Sequence, residues 1–305
     1  YRSGFFGVSD KQPKLATSNL TPKQLILNAI SSPFAVNDIK LRLNTLFKGN
    51  ESNKIALSSF VHIDTNDLQL ADGPDGKKQI SFDILAMNFG KNGTPLDQIG
   101  KTYTISLSDK MVDEFKSEGF VYYFTFPIKT PGAYQMRVAI RDHATNKVGS
   151  ASLFVEAPDL KKNRLTLSGI AVQNLTFDQW KIFNETGKRP INADARMDTS
   201  LRRFRSGSVL LYGFDIYNTK ISSDGKPRLK MQTRVFQNGK LLFEGEAKPI
   251  KVGSLKKDLA AVNGALNLGS EMALGDYILQ VVIIDELAKK KRQIATQFIQ
   301  FEIVE

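Results

Sequence analysis

The pattern G-x-Y-x-x-x-V-x-I-x-D occurs twice, at residues 132–142 and again at residues 275–285, an offset of 143 positions. A short polar turn and a second alternating run follow each copy, over residues 150–156 and 295–303. Each copy therefore reads as a β-hairpin. Asn92-Gly93 and Asn238-Gly239 fall at nearly the same separation, and such pairs supply the positive φ angles of a tight hairpin turn in each half. The chain reads as two copies of one β-unit.

A tyrosine just ahead of an alternating strand, with a hairpin returning to the end of the unit, is how the tyrosine corner of immunoglobulin-like sandwiches appears in sequence. Tyr134 and Tyr277 hold that position. The ring is expected under the sheet edge, with its hydroxyl bonded to a backbone group upstream. In the first half, the other expected strands cover residues 39–47, 55–63, 80–88, 103–107 and 120–126. In the second half they cover residues 164–172, 209–217, 229–236, 240–244 and 264–268. In the first hairpin Tyr134, Met136, Val138 and Ile140 alternate with Gln135, Arg137, Ala139 and Arg141, which predicts a half-exposed antiparallel sheet. The expected fold class is all-β: two tandem immunoglobulin-like or fibronectin-III-like sandwiches behind a short N-terminal linker helix.

Helix is scarce. Thr21-Pro22-Lys23-Gln24 opens one, with Thr21 as N-cap, Pro22 at the first position and Gln24 closing a capping box; it is expected to end near Ile30. Ser108 is the expected cap of a second short helix, in which Met111 and Phe115 share a face and Gly119 ends the turn.

At 305 residues the chain has room for two domains, each able to bury its own core. The expected division is residues 1–32, 33–158 and 159–305, with the boundary at Ala157-Pro158-Asp159 and an insertion in the second sandwich over about 173–208. There is no cysteine, which removes disulfides, thiolate metal sites and thiol nucleophiles. No run is long and apolar enough to span a bilayer. Tyr1-Arg2-Ser3-Gly4-Phe5-Phe6 is not a signal peptide, and the chain reads as starting mid-protein.

The net charge of +11 divides unevenly, +3 on residues 1–158 and +8 on 159–305. Arg202-Arg203-Phe204-Arg205, Lys256-Lys257 and Lys289-Lys290-Lys291-Arg292 carry much of the excess. Such clusters suit a phosphate-rich or acidic partner. Without a recognition helix or stacking platform, solvated turns and edge guards explain them more simply, and nucleic acid is not the expected partner.

Motifs for catalysis are absent. His62 and His143 are the only histidines and sit in no metal-ligand spacing; His62 shares a strand face with Asp64, and His143 lies at a hairpin tip with no evident partner. Asp64, Asn66, Asp67, Asp72 and Asp75 crowd one stretch, but their spacing is not that of an EF-hand and suits turn chemistry better. Asp113 and Glu114 could form an acid-base pair only if the fold brought them together. No catalytic residue, metal or cofactor is assigned.

Residues 173–208 read as a long loop holding the only tryptophan. Trp180, Phe183, Arg202, Arg203 and Arg205 make a binding surface in one reading, because Trp and Arg dominate interface hot spots. In the other, the aromatics cap an open sandwich end or fill the joint with the first half.

Several segments, in order, resemble the large bacterial proteins, common in Acidobacteria, that carry a von Willebrand factor A-related domain followed by β-rich C-terminal domains. Tyr1–Phe6 resembles the segment closing the A-type domain, and Thr21-Pro22 through Ser32-Pro33-Phe34 resembles the helix that follows. Pro131-Gly132-Ala133-Tyr134 through Asp142, then Gly149-Ser150-Ala151-Ser152 through Leu160, are similar to a shared hairpin signature. Arg203 to Gly207, Ile216-Tyr217-Asn218, Asp285 to Lys289 and Gln297 to Glu302 are similar to the distal half. The D-x-S-x-S metal motif of A-type domains is missing, so its ligands do not carry over. The resemblance implies accessory domains of a secreted, periplasmic or cell-surface protein that serve interaction or assembly with a protein partner or a further copy. Polyanion binding by the basic second half and carbohydrate binding remain the alternatives.

Overall fold

A computed structural model describes residues 20–50, 52, 54–73, 76–188, 190, 194–250 and 259–305. The expectations for Tyr1–Phe6, Asp75 and Lys256-Lys257 lie outside the described residues. The described chain is mostly β, in four sheets.

In the first half, helix α1 (Pro22–Ser31) carries the expected capping box of Thr21 and Gln24. Strands β1 (Leu41–Gly49) and β2 (Ile55–Ile63) are followed by the short β3 (Ala71–Asp72), then β4 (Lys78–Phe89) and β5 (Pro95–Leu107). Helix α2 (Asp109–Glu118), β6 (Phe120–Ile128), β7 (Gly132–Asp142) and β8 (Val148–Ala157) complete it. One sheet has the order β1-β2-β6; the other runs β4-β7-β8, with β3 and β5 also on β4. Leu57, Val61 and Ile63 of the first sheet and Phe82, Ile84, Met136, Val138 and Ile140 of the second form one apolar core. On the outer face of the larger sheet, Ile26, Ala29 and Ile30 of α1 cover Ala139 and Val148. Arg137 donates to the Ile30 carbonyl at 3.0 Å, placing a cation at the negative end of the helix.

In the second half come β9 (Thr166–Leu167), β10 (Ala171–Leu175), α3 (Phe177–Thr186), α4 (Ala195–Leu201) and β11 (Arg203–Arg205). They are followed by β12 (Val209–Tyr217), β13 (Leu229–Gln237), β14 (Lys240–Glu244), β15 (Lys248–Pro249), β16 (Leu259–Asn267), β17 (Gly275–Asp285) and β18 (Ile294–Val304). One sheet has the order β10-β12-β16; the other runs β14-β13-β17-β18, with β11 parallel to β18. The two halves therefore share a strand order, β1-β2-β6 matching β10-β12-β16, and β5-β4-β7-β8 matching β14-β13-β17-β18. A second apolar core, with Val172, Leu210, Ile216, Leu279, Val281 and Phe301 among its members, fills the second half.

The tyrosines of the repeat are both buried, and each hydroxyl donates to the carbonyl four residues upstream. Tyr134 bonds Thr130, and Tyr277 bonds Ala273 at 2.7 Å.

Several sequence expectations need correction. Residues 173–208 are not a loop: Gln173–Leu175 close β10, and α3, α4 and β11 follow. The physical signals are a capping box of Thr176 and Gln179 and a left-handed Gly187 at the C-cap. Residues 164–172 are not one strand but β9 and the start of β10, interrupted at Ser168-Gly169-Ile170. Ser108 makes no side-chain cap bond, although Gly119 ends α2 with φ 69° as expected. Of the two Asn-Gly turns, Asn238 and Gly239 both take positive φ. At 92–93 only Gly93 does, in a wider loop closed by Gly90 N–H donating to the Thr94 carbonyl.

Candidate functional site

The proposed surface residues separate into two places. Trp180 and Phe183 lie half-buried on α3, which rests on β10 and β12. The Trp180 ring sits 5.5 Å from that of Phe177, and Phe177 and Ile182 are 52% and 56% exposed. Short helices draw most of their stability from burying an apolar face, yet α3 holds these two side chains in solvent.

Arg202, Arg203 and Arg205 follow α4 instead. Arg202 is the C-cap of α4 in a left-handed conformation, φ 52°, and its Nε is buried with no hydrogen-bond partner. Burial lowers its pKa to about 10. Arg203 donates through Nε to Glu302 at 2.7 Å, and that contact holds the Glu302 carboxyl below its usual range. Arg205 is exposed at the end of β11. The structure therefore does not join the five into one patch: the aromatics are on α3, and Arg202 and Arg203 are at the contact between the halves.

That contact is organised by α4. On one side it covers the edge of β10: the Thr199 hydroxyl bonds both the N–H and the carbonyl of Val172, and Asp198 accepts from the Asn174 N–H at 2.7 Å. On the other side, its last carbonyls accept from the first half. Asn44 donates to Ser200 at 2.8 Å and Arg42 to Leu201 at 2.9 Å. Arg196 lies over the ring of Tyr123, 5.4 Å from its centroid. Burial, with Asp194 nearby, raises the pKa of Asp198 to about 6.

Direct strand contacts add to the clamp. The Tyr217 hydroxyl accepts from the Gly49 N–H at 2.9 Å, and its ring packs on Phe47. Gly169 donates to the Phe47 carbonyl at 3.1 Å, and a Cβ at position 169 would fall 2.8 Å from Leu46 Cβ, so the approach requires glycine. Lys48 pairs with Asp215 at 3.6 Å.

Both histidines have partners. His62 is 2.7 Å from the Glu118 carbonyl, and burial lowers its pKa. His143, for which the sequence offered no partner, is 2.8 Å from Asp83, which also accepts from Thr102 at 2.6 Å and from Arg141. Burial opposes the charged form of Asp83, but these hydrogen bonds outweigh it and lower its pKa. In the acidic stretch, Asp64 accepts from Asn66, Asp67 from the Lys40 N–H, and Asp72 pairs with Lys78 at 2.6 Å. Among the described residues, no three His, Cys, Asp or Glu side chains are placed to share a metal ion, and no helix is long and apolar enough to cross a membrane.

Basic loops that are far apart in sequence meet at one end of the second half. Asn218 donates to the carbonyls of Leu160 and Arg164, the Lys220 N–H to Asp285, and the Glu286 N–H to the Arg228 carbonyl. Lys161, Lys162, Lys220, Lys226 and Arg228 are exposed there with the Lys289–Arg292 tip. No protein-family model matches the chain, and a search of curated proteins found no match.

Proposed function

We propose that the chain is a non-catalytic interaction and assembly module: two fibronectin-III-like sandwiches of immunoglobulin type, held in tandem. We place it in the C-terminal part of a secreted or envelope-associated bacterial protein of the von Willebrand factor A-related kind. The repeated strand order and the paired Tyr134 and Tyr277 hydrogen bonds support the sandwich assignment. The sequence resemblance supports the setting.

One observation carries the interaction role. The insertion divides into α4, which seals the contact between the halves, and α3, which keeps the Phe177 ring in solvent against half-buried Trp180, three residues on along the same face. An apolar helical face on a fixed support is a surface for a protein partner. A photo-crosslinking amino acid at position 177, introduced in the producing bacterium, is expected to give one discrete adduct, while the same group at Lys110 on α2 gives none. Equal or scattered adducts from both positions would refute the role of α3.

The gathered basic loops favour a second reading, polyanion binding by the second half. With heparin as the probe, this reading predicts affinity falling steeply and log-linearly with salt. Salt-indifferent or absent binding would remove it. Carbohydrate binding has less support, because Arg196 covers a face of Tyr123, the one tyrosine among the aromatics lining the cleft between the halves.

A further inference from the structure

At thirteen residues β5 is the longest strand among those described, and it pairs with β4 alone. A strand presents its N–H and carbonyl groups alternately to its two sides, so the second edge of β5 carries backbone groups free to pair with another strand. Proteins blunt such edges with bulges, prolines, short strands or inward-pointing charges. In β5 the proline is the first residue, and the only register shift falls beside it, opposite Asn88 and Phe89. From Asp97 to Leu107 the pairing is regular. The corresponding edge of the second half, β14, has five residues and a register shift in its middle.

The remaining guard on β5 is charge. Lys101 lies in register with the core residue Ile84, Ile99 with Ala86 and Asp97 with the buried Asn88, so all three occupy the core-side face. Neither Asp97 nor Lys101 has an ion pair among the described residues. An inward lysine repels an arbitrary strand but not one that places a carboxylate opposite it. The strand supplies that carboxylate itself. About a two-fold axis through Ile99, antiparallel pairing sets Asp97 against the copy's Lys101, Lys101 against its Asp97, Ile99 against Ile99, and Leu96 against Thr102. An axis through Lys101 would oppose lysine to lysine. An axis through Gly100 would face Asp97 with Tyr103 and Lys101 with Ile99, leaving both charges unmatched. Helix α2 leaves from the Leu107 end, away from this axis.

We propose that β5 is a homodimer edge, two copies of the chain joining their larger first-half sheets by antiparallel β5–β5 pairing centred on Ile99. The interface is self-complementary, as two-fold assembly requires. It is also smaller than a standard protein interface, so association is expected at about micromolar concentration. The proposal uses a different face from α3, so either can fail without the other.

Sedimentation equilibrium on the full chain tests it. The wild type is expected to dimerise, Lys101→Asp and Asp97→Lys each to weaken the dimer at least about tenfold, and the double exchange to restore most of the affinity. Because the chain lacks cysteine, Ile99→Cys adds a second readout independent of charge. Directly opposed Cβ atoms on the axis are close enough for a disulfide, so mild oxidation is expected to give a covalent dimer, whereas Ser106→Cys, far from the axis, is not. A wild type that stays monomeric at hundreds of micromolar, single exchanges without effect, or equal crosslinking at both cysteines would overturn the proposal.

Discussion

The Tyr217 hydroxyl stands 2.9 Å from the Gly49 amide nitrogen and accepts its hydrogen bond, fixing the end of β12 in the second half to the end of β1 in the first. The same oxygen lies 3.3 Å from the Gly49 carbonyl and from Asp215, so one phenol serves both halves. Tyr217→Phe keeps the ring packing on Phe47 and removes these bonds. The expected cost is about 1–2 kcal/mol, because a buried backbone amide loses its partner. Calorimetry should show the melting of the two halves becoming less coupled; an unchanged single transition would contradict this.

Tyr134→Phe and Tyr277→Phe each delete a hydrogen bond to the carbonyl four residues upstream. Each is expected to cost about 1 kcal/mol, within its own half. Hydrogen exchange checks the locality: protection should fall in β7 and β8 for the first variant and in β17 and β18 for the second.

The strand pattern of both hairpins was legible because the inner face of each is apolar, so the period of two survives in sequence even where α1 also buries Ala139 on the outer face of β7. Residues 55–63, 209–217 and 240–244 match their strands end to end. The contact between the halves was not legible. Its hydrogen bonds join Asn44 to Ser200 and Gly49 to Tyr217, more than 150 residues apart in each case, and depend on backbone groups that any side chain could accompany. The helices of the insertion left a readable trace, Thr176-x-x-Gln179, the same capping motif that marks α1 at Thr21 and Gln24. That trace was overshadowed by the irregular apolar spacing after it. The separation of Trp180 from Arg202 follows from their elements packing on different supports, α3 on β10 and β12 and α4 also on the first half, which composition cannot show.

Asp198 gives the contact a pH dependence with a definite sign. Its folded pKa, about 6, lies above the ordinary carboxyl value of 3.8. Folding therefore favours its protonated form, and its contribution to stability falls as pH rises from about 4 through 6, then stays level. Asp198→Asn can still accept from the Asn174 N–H and has no charge to desolvate. It is expected to gain about 1–3 kcal/mol on wild type at pH 8 and little at pH 4. Thermal melts across that range check it; an equal gain at both ends would show that burial of the charge is not the cause.

Arg202 combines a left-handed backbone with a buried nitrogen that has no partner. Asparagine tolerates that conformation and carries no charge. Arg202→Asn is therefore expected to stabilise the chain by about 1 kcal/mol in denaturant titrations, whereas alanine, which strains at positive φ, should gain less.

The central claim is that α4 and Tyr217 hold two like β-units as one body. Residual dipolar couplings, measured separately for backbone amides of the first and second halves in one alignment medium, test it most directly. The account predicts one alignment tensor, equal in magnitude and orientation for both halves. Two tensors of different magnitude would mean that the halves move independently, and the fixed platform under α3 would be lost.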